Sequence, residues 1–384
     1  MNKLVFNGTC FVGAGTIEIL ANEIENRHFK KAFIVTDNGL IDCGIVQKII
    51  SVLIKHKIPS VIFSDVNPEP SVKDVKNAYH ELKRSNADFI LAVGGGSPID
   101  TAKAISIIYT NPRYEDVVSL VGHKDNLSLP LPIIALPTTA GSAAEVSKSF
   151  VVHDELLGKK LICFNDKCLP VETIIDAELM ASMPDIVTLS SGFDALSHAI
   201  ESLLSKNANT FTKTLAREAI NLIFTNLPVC YDDPNNLDAR EKMAYAEYMA
   251  GLAYSNSGLG IAHSIAHGVA GKFKIPHGII LAMSISAVLK FNMYGPTAAE
   301  YESLAHAMNI NTTGLKSEEI CRACIKEFDA FKATFNIPKK LSDYGIKEKD
   351  LDEIALYSFD DACTASNPRD CTMTDIYTIL KKIL

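Results

Sequence analysis

Three segments decide how this chain folds: Gly192-Phe-Asp-Ala-Leu-Ser-His-Ala-Ile-Glu201, His263-Ser-Ile-Ala-His-Gly-Val-Ala-Gly271 and Ile275-Pro-His-Gly278. Asp194 and His198 stand at i and i+4, which places them one above the other on one face of a helix. His263 and His267 repeat this spacing. The proline and glycine beside His277 indicate a turn or a helix start that brings another imidazole to the same place. The segments therefore predict helices whose polar side chains converge.

These side chains suit a transition metal. Imidazoles with a carboxylate match Fe(II) or Zn(II), whereas calcium and magnesium prefer shells made of oxygen. A single histidine on an apolar helix is more often a hydrogen-bonded structural residue than a ligand. Here several histidines lie among small or apolar neighbours, where an unpaired imidazole would be poorly solvated. The set therefore indicates a metal site.

Composition narrows the functional classes. The chain has 384 residues, 47% hydrophobic and 21% charged, which predicts about two domains with their own cores. A net charge of −8 predicts no binding to nucleic acid or to an anionic membrane, because no basic excess neutralises phosphates. The start of the chain lacks the features of a signal peptide, and no run of about 18 apolar residues occurs. We therefore expect a cytoplasmic enzyme that acts on small molecules.

Cysteine usage supports the same compartment. Nine cysteines are scattered along the chain, which fits reduced thiols better than a disulfide framework. Cys321-Arg-Ala-Cys324 also fits a redox or metal pair, but it lies in a helix-like run with no second pair nearby. We expect these two thiols to be structural.

Residues 4–180 alternate short apolar runs with helical stretches. Strands are predicted at 31–37, 59–64, 89–93 and 133–136, and helices at 44–56 and 71–84. This rhythm predicts a mostly parallel sheet. After Pro184 the predicted elements are helices: 190–204, 211–226, 239–254, 260–272, 279–291, 298–308, 317–335 and 374–383. We therefore predict an α/β dinucleotide-binding domain at residues 1–183 and an all-α metal-binding domain at 184–384.

Loops that follow the predicted strands carry a nucleotide signal. Gly94-Gly-Gly-Ser-Pro-Ile-Asp100 opens a helix, so its backbone amides form a cradle for a pyrophosphate. A tight turn explains the glycines alone as well, but the strand before them and the helix after them favour phosphate binding. Asp37 ends the first long strand, where a carboxylate either binds the ribose of NAD or caps a helix. Gly13-Ala-Gly15 matches only part of the usual Gly-x-Gly-x-x-Gly fingerprint of dinucleotide-binding proteins. The residues expected to contact NAD(H) are Asp37, Gly94, Gly95, Gly96, Ser97, Asp100, Thr138, Thr139 and Ser142.

The two histidine segments and the loops at 94–103 and 137–146 resemble the signatures of the iron-containing alcohol dehydrogenases. The resemblance implies a dehydroquinate synthase-like fold, NAD(H) as cofactor and a homodimer. It implies that Fe(II), or alternatively Zn(II), is bound by Asp194, His198, His263 and His277. It also implies that His267 acts near the metal as a proton-handling or substrate-orienting group.

Within this family the chain is similar to the lactaldehyde reductase subgroup. Many members carry Gly-Thr-Gly-Ser-Glu where this chain has Gly141-Ser-Ala-Ala-Glu145. The resemblance implies a substrate pocket that has Ser in place of Asn and Tyr in place of Phe, formed by Ser149, Val151, Tyr254 and Cys363.

We expect a metal-dependent NAD(H) alcohol dehydrogenase or aldehyde reductase acting on lactaldehyde or 1,2-propanediol. The alternatives are propanal, butanal, or an anionic aldehyde such as sulfoacetaldehyde, for which Lys148 would supply the positive charge. A non-enzymatic dinucleotide sensor would need the nucleotide loops but not the histidine cluster.

Overall fold

The computed structural model describes residues 3–384. The chain divides into two compact units. We call the first the α/β unit, and it comprises Val5–Met183 and Pro234–Ala244. We call the second the helical unit, and it comprises Pro184–Asp233 and Tyr245–Leu384 with residues 3–4. Residues 234–244, predicted as part of the helical domain, thus group with the α/β unit.

The α/β unit begins with alternating strands and helices. Its strands are β1 (Thr9–Val12), β2 (Ala32–Val35), β3 (Ser60–Phe63), β4 (Phe89–Gly94), β5 (Gly122–His123), β6 (Ile133–Pro137), β7 (Ser149–Asp154), β8 (Lys159–Phe164) and β9 (Glu172–Ile175). Its helices are α1 (Leu20–Asn26), α2 (Asn38–Asp42), α3 (Ile45–Lys55), α4 (Val72–Ser85) and α5 (Gly96–Thr110).

Six strands form one parallel sheet in the order β1-β9-β6-β4-β2-β3. The central strands β2 and β4 are buried throughout, because helices cover both faces of the sheet. Phe33 and Ile90 belong to the core on one face, whereas Ile34 and Leu91 belong to the core on the other. This alternation explains the continuous apolar runs in the sequence.

The strand order reverses direction between β2 and β4. From β2 the chain moves outward to β3, then crosses back over β2 to place β4 on its other side. In open α/β sheets, ligands bind outside the carboxyl ends of the strands at such a switch point. Asp37 follows β2 and Gly94 ends β4, so both predicted nucleotide residues lie at this point.

A second sheet of three strands, ordered β5-β8-β7, was not predicted. Strands β7 and β8 form an antiparallel hairpin, and β5 pairs parallel with β8. Its mixture of apolar and lysine residues gave no strong strand pattern. The short edge strand β1 and strand β9 were also missed.

The helical unit contains α6 (Asp185–Leu204), α7 (Thr210–Asp232), the later part of α8 (Leu237–Ser257), α9 (Ile261–Ala270), α10 (His277–Asn292), α11 (Tyr301–Ala307), α12 (Ser317–Ala333), α13 (Leu351–Phe359) and α14 (Met373–Ile383). Helix α6 packs against α7 and α10, and α9 packs against α10 and α13. Helix α6 begins earlier than predicted, because Pro184 is its N-cap residue. The parallel sheet followed by helices confirms the predicted fold class.

The helices of residues 3–384 can be compared with the length and apolarity that a membrane span requires. None of them is both long enough and apolar enough to span a bilayer.

Candidate metal and nucleotide sites

Three helices of the helical unit bring the predicted metal ligands together. Asp194 and His198 lie on α6, His263 lies on α9, and His277 is the first residue of α10. Asp194 Oδ1 is 3.5 Å from His198 Nε2, 3.5 Å from His263 Nε2 and 3.8 Å from His277 Nε2. The carboxylate therefore stands at the centre of three imidazoles.

A close approach between α6 and α10 positions His277. A Cβ on Gly278 would lie 1.7 Å from the backbone oxygen of Ser190, so only glycine allows the two helices to meet here. The amide of Gly278 donates to Ser190 Oγ at 3.2 Å. The residue after His277 thus fixes the start of α10 against the helix that carries Asp194.

The donor atoms of the cluster fit a bound cation. Asp194 Oδ1 and His263 Nε2 are both buried and have no hydrogen-bond partner. Buried polar atoms are rarely left so, because each loses its hydration without compensation. One ligand atom from each of Asp194, His263 and His277 lies within 4.8 Å of the others. Imidazole nitrogens with one carboxylate oxygen are donors that Fe(II) and Zn(II) accept.

The pKa values of the clustered side chains also favour a bound cation. Burial raises the pKa of the Asp194 carboxyl, but the adjacent imidazoles of His198, His263 and His277 outweigh burial and hold this pKa well below its usual range. Burial lowers the pKa of His263, but the nearby carboxylates of Asp194 and Glu201 outweigh burial and raise it to about 9. The carboxylate attracts positive charge to this point, which a proton or a metal ion can supply.

Glu201 contacts His263 from the side away from Asp194, and sequence analysis missed its role. His263 Nδ1 donates to Glu201 Oε2 at 2.6 Å, and both side chains are buried. Glu201 stands at i+3 from His198 and at i+7 from Asp194, so all three share one face of α6. That spacing was the signal available in the sequence.

Asp361 holds His267 in the same way, and its role was also missed. His267 Nδ1 donates to Asp361 Oδ2 at 2.9 Å, while the backbone amide of Cys363 donates to Asp361 Oδ1 at 2.8 Å. Burial raises the pKa of Asp361, but the imidazole of His267 and the Cys363 amide lower it overall to about 2. Burial and the nearby carboxylate of Asp361 raise the pKa of the Cys363 thiol well above its usual value. Cys363 therefore stays a neutral thiol.

The histidines stack on one another and on an aromatic ring. The His198 ring lies between the rings of Tyr254 and His263, with centroid distances of 4.3 and 4.5 Å. The His267 ring stacks on that of His277 at 5.3 Å. The structure thus places His267 and Tyr254 directly beside the predicted metal ligands.

The other predicted pocket residues lie on β7 of the α/β unit. Ser149 and Val151 are half-buried on one face of this strand, whereas Phe150 between them is buried in the core. Lys148 precedes the strand, and alternation assigns it to the face of Phe150.

Two loops at the carboxyl ends of β4 and β6 lie side by side. The amide of Thr138 donates to the backbone oxygen of Gly94 at 3.1 Å. A Cβ on Gly96 would lie 3.0 Å from Ser142 Cβ, so a larger residue there would require the two loops to separate by a few tenths of an ångström. Helix α5 begins at Gly96, and its N-terminus supplies the polarity that attracts a phosphate. Gly95 and Thr139 belong to the same two loops, and Ser97 lies in the first turn of α5.

Among the predicted nucleotide residues, Asp37 and Ser97 make specific local contacts through their side chains. Asp37 Oδ1 accepts from the amide of Leu40 at 3.0 Å and so caps α2. Ser97 Oγ donates to the backbone oxygen of Pro68 at 2.7 Å. The contact of Asp37 matches the helix-cap role that the sequence left open, and its carboxylate also stands at the switch point of the sheet.

Asp100 and Lys103 on α5 hold the start of β7. Asp100 Oδ2 accepts from the amide of Val151 at 2.9 Å, and Lys103 Nζ donates to the backbone oxygens of Ser147 and Ser149 at 2.7 and 2.8 Å. Burial raises the pKa of Asp100 to about 6, although Lys103 and the Val151 amide act to lower it. The helix that follows the glycine loop thereby fixes the strand that carries two predicted pocket residues.

Two weaker motifs of the sequence have structural explanations. The amide of Gly15 donates to Asp176 Oδ1 at 3.0 Å, and that of Ala14 donates to Glu241 Oε2 at 3.3 Å, so carboxylates engage this loop. Burial raises the pKa of the Cys321 and Cys324 thiols to about 11 and about 12. Cys324 Sγ donates to the backbone oxygen of Tyr301, which is a structural contact.

Comparisons with known proteins cover both units. A family model described as iron-containing alcohol dehydrogenase matches residues 7–177, and one for the C-terminal part of the Fe-containing alcohol dehydrogenase family matches residues 188–384. The chain is 36% identical to lactaldehyde reductase of Escherichia coli K12 over 375 residues, which cover 98% of this chain and 97% of that protein.

Two further comparisons agree. The chain is 34% identical to an NAD-dependent methanol dehydrogenase of Bacillus methanolicus over 375 residues, covering 97% of each. The crystal structure of a 1,3-propanediol oxidoreductase matches with a TM-score of 0.96 at 33% identity, covering 100% of both chains.

Proposed function

Because this chain belongs to the iron-containing alcohol dehydrogenase family, we propose that it interconverts a short-chain alcohol and its aldehyde with NAD(H). We assign the metal site to Asp194, His198, His263 and His277, with Fe(II) as the ion and Zn(II) as the alternative. The observation that carries this assignment is the buried pair Asp194 Oδ1 and His263 Nε2, which have no hydrogen-bond partner. When bound, the metal supplies a Lewis acid for the substrate oxygen, and NADH supplies the hydride.

His267 is the group that we assign to proton transfer. Its Nδ1 donates to the ionised Asp361, so its Nε2 is left to exchange a proton with the substrate oxygen. During aldehyde reduction His267 gives this proton to the forming alcohol, and during alcohol oxidation it accepts the proton back. The neutral thiol of Cys363 lies beside Asp361 and adds bulk without charge.

The nucleotide assignment rests on the topology of the sheet. Asp37 and the loop at Gly94–Gly96 stand at the carboxyl ends of the two strands that flank the switch point. We propose that the amides of the glycine loop bind the pyrophosphate and that Asp37 faces the ribose. The other proposed contacts come from Ser97, Asp100, Thr138, Thr139 and Ser142.

For the substrate we propose a small aldehyde that bears a second oxygen, such as lactaldehyde. Tyr254 would add a hydroxyl where the subgroup has Phe, and Ser149 would replace the amide of Asn with a smaller hydroxyl. Val151 and Cys363 are the other residues that we propose to contact the substrate. The relative from Escherichia coli is named for reduction of lactaldehyde, which supports this choice. An anionic aldehyde is the second candidate, but Lys148 shares its strand face with the buried Phe150.

A panel of aldehydes with NADH and metal-loaded protein tests the substrate class. We expect kcat/KM for lactaldehyde and glycolaldehyde to exceed that for hexanal by at least about tenfold, because a small pocket rejects extra methylenes. Values that rise steadily with chain length through hexanal contradict the proposal. A large preference for sulfoacetaldehyde that disappears in Lys148→Ala would favour the anionic candidate.

The family resemblance also leads us to propose a homodimer in the cytoplasm. Light scattering of the purified chain tests the assembly, and a monomer at micromolar concentration contradicts it.

A further inference from the structure

The buried carboxylate of Glu201 contacts both a predicted metal ligand and the helix that carries it. Glu201 is 4% exposed and lies on α6. Its Oε2 accepts from His263 Nδ1 at 2.6 Å and from the amide of Gly260 at 2.9 Å. Its Oε1 accepts from the amide of Ala262 at 2.8 Å. Both carboxylate oxygens are therefore engaged at the start of α9.

We infer that Glu201 is a positioning residue of the metal site, which fixes the orientation and the tautomer of His263. A carboxylate offers only acceptors, so the nitrogen that faces it must carry the proton. An imidazole that binds a metal is neutral, with one N–H and one bare nitrogen, so a proton on Nδ1 leaves Nε2 bare for the ion. His263 Nε2 is the nitrogen that lies 3.5 Å from Asp194 Oδ1. The inference rests on the proposed metal site and adds a residue to it.

The same carboxylate determines where the His263 backbone lies. The first amides of a helix have no partner within the helix, and an anion near them is also favoured by the helix dipole. Glu201 accepts from the amides of Gly260 and Ala262. Its carboxylate therefore holds both the His263 ring and the start of α9. A ligand imidazole held by a second carboxylate binds a metal more tightly, because its direction is set before binding.

Asn367 provides a matched comparison, because it also contacts the start of α9 from a distant part of the chain. Its Oδ1 accepts from the amide of Ile261 at 3.3 Å, and its side chain also bonds Asn292. Asn367 thus caps α9 by way of the backbone alone. A variant at this position distinguishes the effect of losing a helix cap from the effect of losing the group that orients the His263 ring.

The test measures affinity for Co(II), a spectroscopic probe ion, by chelator competition on metal-free protein at fixed pH. Glu201→Gln keeps the shape of the side chain but replaces one of the two acceptor oxygens with an N–H₂ group, so it cannot accept from His263 Nδ1 and from the Ala262 amide together. We expect Glu201→Gln to bind Co(II) about 10- to 100-fold more weakly than wild type, with an altered visible absorption of the bound ion. Asn367→Ala should lower the Tm but change Co(II) affinity by less than about threefold.

A second substitution covers the case in which Glu201→Gln does not fold. Glu201→Asp keeps the negative charge and an acceptor for Nδ1, so its affinity should fall less than that of any neutral variant, including Glu201→Ala. Wild-type affinity in Glu201→Gln, or an equal loss in Asn367→Ala, would overturn the inference. If Asp194→Ala binds Co(II) as wild type does, the metal assignment itself fails. If only Asp194→Ala loses binding, the assignment stands and Glu201 has no positioning role.

Discussion

The two units present their functional groups in different ways. In the α/β unit the candidate pyrophosphate cradle consists of backbone amides, which a strand, a glycine loop and a helix N-terminus place at the edge of the sheet. In the helical unit the candidate metal site consists of side chains from α6, α9 and α10. Backbone amides remain when a side chain changes, whereas each side chain of the cluster is a donor that no neighbour replaces. We therefore expect substitutions in the metal cluster to have larger effects than substitutions in the nucleotide loops.

The largest effect is expected for Asp194→Ala. This substitution removes the carboxylate at the centre of three imidazoles, so the protein should lose its bound metal. We expect kcat/KM to fall by at least about 1,000-fold, because Lewis-acid stabilisation contributes several kcal/mol to the transition state. Metal content and steady-state rates measure both changes together. Asp185→Ala, at the exposed start of the same helix, is the control and should keep both properties.

A smaller effect is expected for Asp361→Asn, which changes the partner of His267. Asn has one acceptor oxygen where Asp has two, so it cannot accept from the Cys363 amide and from His267 Nδ1 together. When its N–H₂ group faces His267 Nδ1, the imidazole adopts the wrong tautomer. We expect kcat to fall by roughly 10- to 100-fold, with metal content unchanged. Loss of metal together with activity would instead assign Asp361 to the metal site.

The sequence predicted the pairs within helices but not the carboxylates that hold them. Both pairs have the four-residue spacing of a helix, Asp194 with His198 and His263 with His267. Each pair can therefore be predicted from its own short segment of sequence. Asp361 is 94 positions from His267, and only the packing of α9 against α13 and the segment after it brings them together. Glu201 was closer to detection, because it continues the face of Asp194 and His198.

Prediction of the strands was limited in the same way, because partners that are distant in the sequence cannot be detected locally. The long apolar runs that became β2, β4 and β6 were predicted, because two covered sheet faces require continuous hydrophobicity. Strand β9 was not, since it begins with the buried Glu172. Arg27 donates to this carboxylate at 2.6 Å from a distant part of the chain. A buried charged residue whose ion-pair partner is distant in the sequence makes its own segment look like a loop, so the strand is not predicted.

The next prediction concerns the cofactor preference. Asp37→Asn removes the negative charge but keeps an oxygen that can accept from the Leu40 amide and cap α2. We expect the preference for NADH over NADPH to narrow by about tenfold, because like-charge repulsion with a 2′-phosphate disappears. The ratio of kcat/KM for the two cofactors measures this. Equal use of both cofactors by the wild-type protein would refute the role of Asp37.

The smallest effect is expected for Gly96→Ala in the glycine loop. The added Cβ would lie 3.0 Å from Ser142 Cβ, so the two loops must separate by a few tenths of an ångström. We expect the KM for NADH to rise by about fivefold, which corresponds to about 1 kcal/mol. Co(II) affinity should stay at the wild-type value. A parallel loss of metal affinity would show that the two sites do not respond separately.

The most direct test of the account is metal stoichiometry measured together with turnover. The protein is stripped with a chelator, titrated anaerobically with Fe(II), and assayed with NADH and lactaldehyde at each addition. We predict that the stripped protein is inactive and that activity rises linearly up to about one ion per chain, with no recovery in His263→Ala. Full turnover by the stripped protein, or equal recovery by His263→Ala, would contradict the proposed metal site.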